Sequence, residues 1–406
     1  MPEAVADPTK LGFCPDRLSR IRPWMDSYVD SGKLPGALTL IARHGEIAYV
    51  DECGMRDTET GKPWEKDSIH RFYSMTKPIT SVALMMLYEK GLFHLDDPIE
   101  AFIPSMANRQ VLIPDATDLG QTVPAESSIT VHQVLTHTAG FTYGFNGGVL
   151  GEEYERRKMI FGPTAGQLEN VIDDLAELPI AFQPGSRWNY GVSTDVVGRL
   201  VEIISGQPLR TFLQENILGP LGMTDTDFHV PDSKIDRFSN CYTVNDKGER
   251  VLLEAAGQSA YREGKVACYS GGGGLVSTAA DYLKFAEMLR QGGIHDGHRL
   301  LGNRTVNFMT GNHMNGDLAD MGQPVFSEVS FAGVGFGLGF WSMLNPAKAQ
   351  MMGNPGDHGW GGMASTVFWV DPIEDMTVLF LTQFIPSSYY PLRKELRALV
   401  YQAMMD

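Results

Sequence analysis

Segments that read as β-strands gather at the two ends of this 406-residue chain and thin out between them. Near the start, residues 38–42 and 47–50 are apolar runs on either side of the turn Arg43-His44-Gly45-Glu46. Near the end, residues 366–370 and 376–382 flank the turn-forming stretch 371–375. Between 333 and 340, Gly333, Gly335, Gly337 and Gly339 alternate with Val334, Phe336, Leu338 and Phe340. As one strand this puts glycine along a whole face, where another segment must pack very close. Hairpins at both ends join in one sheet only if what lies between them is an insertion. The fold expected is therefore α/β (α+β): an antiparallel β-sheet flanked by helices and built from both chain termini. Residues 1–91 and 298–406 form that domain, 92–297 an inserted, mostly helical one, and the active site is expected at their interface. The length suits two such units.

Helical periodicity fills in the rest. Leu18, Ile21, Met25 and Tyr28 predict a helix over 16–30 with Asp16 near its cap. Thr130 and Gln133 form a capping-box pattern ahead of a helix through Leu135. Residues 171–178 read as a further helix, and Val196, Val197, Leu200, Val201 and Ile204 make an apolar stripe over 193–204. Ser277-Thr278 opens a helix through Tyr282, Phe285 and Leu289, and Leu392, Leu396, Leu399 and Val400 mark one at the C-terminus.

The net charge is −16 and no Lys/Arg-rich run occurs, which argues against nucleic-acid binding. No apolar run approaches about 18 residues, so no membrane span is expected. Residues 1–7 lack the basic and apolar regions of a secretory signal, so a cytoplasmic location is expected. Cys14, Cys53, Cys241 and Cys268 are scattered without metal-ligand spacing and read as free thiols. Monomer and homo-oligomer are both open.

The chemistry gathers on Phe72-Tyr73-Ser74-Met75-Thr76-Lys77-Pro78 and the apolar run behind it. Ser74 and Lys77, three apart on a helix, lie on one face, with the serine near the positive end of the helix dipole. The lysine ammonium can hold a nearby base deprotonated, or lose its own proton when desolvated. Either route makes a hydroxyl nucleophilic. Ser-x-x-Lys carries this logic in penicillin-binding proteins and serine β-lactamases. No Gly-x-Ser-x-Gly is present, against an α/β-hydrolase nucleophile elbow.

Further stretches follow in order: Leu95-Asp96-Asp97-Pro98, Leu135-Thr136-His137-Thr138-Ala139-Gly140, Pro184-Gly185-Ser186-Arg187-Trp188-Asn189-Tyr190, Ser270-Gly271-Gly272-Gly273-Gly274 and Trp360-Gly361-Gly362. With Ser74 and Lys77 they resemble the serine β-lactamase-related family of class C β-lactamases and D-alanyl-D-alanine peptidases, and most of all its family VIII carboxylesterases. The resemblance, over about residues 16–400, implies a β-lactamase-like fold and a catalytic tyrosine at Tyr190. It also implies an oxyanion hole from the backbone N–H groups of Ser74 and Met363, and a requirement for neither metal nor cofactor. The expected partner is a small-molecule ester. In class C β-lactamases the tyrosine loop reads Tyr-x-Asn; here the third position is Val192. The Lys-Thr-Gly strand is replaced by Trp360-Gly361-Gly362, as in family VIII esterases. Both departures favour neutral esters over cephalosporins, with weak β-lactam turnover as a side activity. A β-lactamase or peptidase, an acyltransferase using the same acyl-enzyme, and a non-catalytic scaffold are the alternatives.

Phe141, Tyr143, Phe145 and Trp188 are candidates for an apolar substrate pocket, as is His358 beside Trp360. His137, within Leu-Thr-His-Thr, reads as structural, and Ser270 as a turn residue.

Overall fold

The hairpins at the two ends of the chain meet in one eight-stranded sheet. A computed structural model describes residues 5–159, 161–326 and 328–405; residues 1–4, where the stretch read for a secretory signal begins, lie outside them. The strands are β1 Gly36–Arg43, β2 Glu46–Asp57, β3 Lys62–Pro63, β4 Val334–Phe336, β5 Trp341–Met343, β6 His358–Gly361, β7 Val367–Asp371 and β8 Met376–Leu381. Across the sheet they run β4-β5-β6-β7-β8-β1-β2-β3, with every neighbouring pair antiparallel. The two ends of the chain are joined at β1 and β8, where Leu38 pairs with Leu381 and Arg43 with Met376.

Alternation along each strand sorts side chains onto two cores. Leu38, Leu40, Phe368, Val370, Leu379 and Leu381 enter one, and Ala37, Ile41, Val367, Trp369, Val378 and Phe380 the other. The second core is completed by α1 Ile21–Asp30 and α7 Leu392–Tyr401 through Met25, Leu396 and Val400. The first takes in α2 Thr76–Glu89 and α6 Ala279–Arg290, and continues into α3 Val131–Leu135, α4 Leu168–Ala176 and α5 Ser193–Ser205. Residues 76–85 of α2 are all buried, because the helix is covered by the sheet on one side and by the inserted helices on the other. Pro78 is tolerated because it falls in the first turn, where its missing N–H has no intrahelical acceptor. The Thr130–Gln133 capping box forms, with both of its reciprocal hydrogen bonds.

Three expectations need correction. The helix over 16–30 is two helices, Pro15–Leu18 and Ile21–Asp30. Pro23 is the reason: inside a continuous helix its ring would meet the carbonyl of Ser19, whereas in the first turn of α1 it is harmless. Residues 333–340 are not one strand. Gly339 takes φ +92 and the chain turns from β4 into β5. The close approach on the glycine face is real, since a Cβ on Gly335 or Gly337 would collide with Asn312 or with the Met309 carbonyl. The inserted region also holds more strand than its weak alternation signals: Gln110–Leu112 pairs with Thr122–Pro124, and Cys241–Val244 with Arg250–Glu254. All four cysteines are free thiols. No helix among the described residues is long and apolar enough to cross a membrane.

Candidate active site

Ser74 sits in a 3-10 turn, Tyr73–Met75, that feeds directly into α2. Tyr73 is held at φ +44, left-handed backbone that a bulky residue adopts only when its surroundings impose it. Lys77 follows in the first turn of α2 and is 1% exposed. Its three ammonium protons have three acceptors: Ser74 Oγ at 3.2 Å, Tyr143 OH at 3.0 Å and the Gly272 carbonyl at 2.7 Å. The helical spacing of Ser74 and Lys77 thus becomes a direct contact.

Tyr190 arrives from the loop ahead of α5. Asn189 anchors that loop twice, its backbone N–H donating to the His137 carbonyl at 2.9 Å and its side-chain amide to the Phe141 carbonyl at 2.8 Å. Asn146 Nδ2 donates to the Tyr190 carbonyl at 2.8 Å. Gly191 lets the loop lie against residue 141, since a Cβ there would sit 2.6 Å from the Phe141 carbonyl. So held, Tyr190 OH donates to Ser74 Oγ at 2.6 Å, and Lys77 Nζ lies 4.7 Å from the Tyr190 ring centroid. Serine, lysine and tyrosine form one connected group with the serine oxygen at its centre.

The end of β6 closes the other side. Gly362 packs against the chain entering the Ser74 turn so tightly that a Cβ would lie 2.5 Å from the Phe72 carbonyl. Its own N–H donates to the Thr366 carbonyl at 2.9 Å, which leaves Met363 as the first residue beyond the hairpin pairing. Among the described residues, the backbone N–H groups of Ser74 and Met363 donate to no protein acceptor. Backbone N–H groups left without protein acceptors are the kind of donor an oxyanion hole uses.

Around this group the walls are aromatic. Trp360 is buried, with its ring 5.4 Å from Tyr190 and 5.3 Å from Phe336. Trp188 stacks on Tyr190 at 6.2 Å and an angle of 16°. Tyr143 carries the exposed Phe145 on its face, with ring centroids 5.0 Å apart. Burial pushes the Tyr143 hydroxyl well above its ordinary pKa, and the neighbouring Tyr190 and Asp195 charges act in the same sense. Phe141 is buried and holds the Tyr190 loop through its backbone carbonyl, which accepts from Asn189.

Neither histidine reaches the serine. His137 is buried with its ring 5.2 Å from Tyr190, and burial together with the Lys77 charge keeps it neutral, well below its ordinary pKa. His358 is buried on β6, accompanied by the Gly356 carbonyl at 3.0 Å and the edge of Phe340; burial lowers its pKa to about 4. Ser270 donates to Asp195 at 2.6 Å. Sequence reasoning did not place Asp195 or the Gly272 carbonyl in the group. The signal was the run Gly271 to Gly274: a Cβ on Gly271 would lie 2.6 Å from the Thr194 carbonyl, and one on Gly272 would collide with Asp195. No set of three or more His, Cys, Asp or Glu among the described residues is arranged to hold a metal ion.

Comparison with known proteins identifies the family and the fold. The sequence model of the family described as Beta-lactamase matches residues 21–402. Protein Rv1367c of Mycobacterium tuberculosis is 35% identical, over 88% of this chain and 88% of its own. Esterase EstB of Burkholderia gladioli is 30% identical, over 99% of this chain and 100% of its own. The solved structure of EstCE1, described as a hydrolase with promiscuous acyltransferase activity, superposes with a TM-score of 0.80 at 26% identity, covering 95% of this chain and 99% of that one.

Proposed function

The chain belongs to the beta-lactamase family of serine hydrolases, and on that premise we propose that it is a carboxylesterase hydrolysing short-chain esters through an acyl-enzyme on Ser74. The observation that carries this reading is the 2.6 Å hydrogen bond from Tyr190 to Ser74 Oγ with the buried Lys77 ammonium 3.2 Å from the same oxygen. For attack the hydrogen bond reverses: Tyr190 acts as the general base and takes the Ser74 proton as Oγ attacks the ester carbon, with the Lys77 ammonium beside the pair. The oxyanion is received by the N–H groups of Ser74 and Met363. Tyr190 returns the proton to the leaving alcohol as the C–O bond breaks. A water deprotonated by the same pair then releases the acid. Trp360, where class C β-lactamases carry a lysine, offers no charge to a substrate carboxylate, and the aromatic walls support a small neutral acyl group.

Hydrolysis of p-nitrophenyl butyrate and of nitrocefin, measured side by side, tests the proposal. Strong ester turnover and weak nitrocefin turnover are expected, both lost in Ser74→Ala. Dominant nitrocefin turnover would make the enzyme a β-lactamase, and an active Ser74→Ala would remove the nucleophile assignment. The relationship to EstCE1 favours acyl transfer as a second outcome of the same intermediate. Added small alcohols would then give new esters at the expense of free acid.

A further inference from the structure

Lys77 is an almost fully buried cation with no carboxylate within ion-pair distance among the described residues; its three partners are a hydroxyl, a phenol and a carbonyl. A buried charge without a partner in contact is costly, so a negative charge further off is to be looked for. Asp195 is such a charge. It lies in the first turn of α5, five residues after Tyr190, and is 0% exposed. Its Oδ1 accepts from Ser270 Oγ at 2.6 Å and from the Gly272 N–H at 3.0 Å. Its Oδ2 is buried without a hydrogen-bond partner, against the Cα of Gly272. Gly272 therefore gives its N–H to Asp195 and its carbonyl to Lys77. Ser270, set aside as a turn residue, is the group that holds the carboxylate.

We propose that Asp195 is a positioning residue for the Tyr190/Lys77 pair: it fixes the Gly272 carbonyl on the ammonium and supplies the counter-charge that draws the shared proton to Lys77, leaving Tyr190 as the base. This rests on the acyl-enzyme reading given above. Burial lifts Asp195 to a pKa of about 6 against the opposing pull of Lys77, Ser270 and Gly272, so the carboxylate is charged at neutral pH. The other groups facing the pair and the carboxylate are neutral there. Burial raises Tyr143 and the Cys268 thiol, Asp195 adding to both, and burial with the Lys77 charge lowers His137.

The sign follows from electrostatics. A fixed negative charge makes each proton of the pair harder to remove, so removing it moves both limbs of the pH–rate profile to lower pH. The probe is diethyl 4-nitrophenyl phosphate: Ser74 Oγ forms a bond to phosphorus, 4-nitrophenolate leaves, and Tyr190 takes the serine proton. Its rate of reaction, followed by intact mass with the labelled peptide identified, reports the free enzyme. In Asp195→Asn, which retains an acceptor for Ser270 and Gly272, both limbs are expected about one pH unit lower. In Ser270→Ala the carboxylate loses a bond that favours its charged form. The acid limb then moves down by less, while the alkaline limb, where Asp195 is charged in both proteins, stays in place. Limbs of Asp195→Asn at their wild-type positions would overturn the proposal, since a carboxylate that serves only as a hydrogen-bond acceptor predicts that result. If Asp195→Asn does not fold, an unmoved acid limb in Ser270→Ala overturns it instead. A wild type whose Ser74 stays unlabelled would sink the acyl-enzyme reading and this inference with it. A labelled wild type with unshifted variants would sink this inference alone.

Discussion

Two tyrosines flank the Lys77 ammonium, and geometry gives them different work. Tyr190 reaches Ser74 Oγ directly, whereas Tyr143 hydrogen-bonds Lys77 and meets the Tyr190 ring at 5.2 Å without a hydrogen bond to the serine. Tyr190→Phe removes the proposed base and is expected to lower kcat/KM for p-nitrophenyl butyrate by about 10²–10⁴. Tyr143→Phe removes one of three acceptors from a buried cation, a loss of about 10–100-fold. The reverse order would exchange the two roles. Ser74 and Lys77 were legible from motif and spacing and Tyr190 from the family resemblance, and the structure places the three in mutual contact. The bond from Lys77 to Tyr143 was not legible. It depends on the path of residues 136–147, where His137 and Gly140 both take positive φ, and no hydrophobic period encodes such a path.

At the scale of elements, the site depends on how closely β6 lies on the turn ahead of α2. Glycine at 362 makes that approach possible, because a Cβ would strike the Phe72 carbonyl and Thr366. Gly362→Ala should displace Met363 and its N–H from Ser74. A misplacement of about 1 Å costs about 100-fold in rate, so kcat is expected to fall by that order while far-ultraviolet circular dichroism stays native. Wild-type kcat in this variant would show that the oxyanion is held elsewhere. Elements with a single dominant period were readable: the strands of both hairpins, the capped α3, the stripe of α5. Elements shaped by proline or glycine were misread. Pro23 splits a run whose apolar spacing is continuous, and Gly339 turns a chain whose alternation continues through the bend.

Over the whole molecule, one sheet divides two cores, and the proposed chemistry touches only one of them. Lys77, Tyr190 and Trp360 lie on the side of α2, while α1 and α7 seal the opposite face. Stability and activity should therefore separate. Leu396→Ala on α7, at a fully buried position, is expected to cost about 2–5 kcal/mol in denaturant unfolding. Its kcat under native conditions should stay near wild type. A matching loss of kcat would mean that the far core is coupled to the site. The joining of both chain ends was visible in the sequence, because strand signals stood at either end and helices between. The order of strands was not, since it depends on which edges meet rather than on any local pattern.

The proposed chemistry requires a covalent intermediate at Ser74. The most direct measurement is intact-protein mass after acid quench of steady-state p-nitrophenyl butyrate turnover, followed by peptide mapping. A mass increase of one butyryl group, located on Ser74 and missing in Ser74→Ala, is the predicted result. Rapid turnover with the butyryl group on a different residue, or with Ser74→Ala as active as wild type, would contradict it.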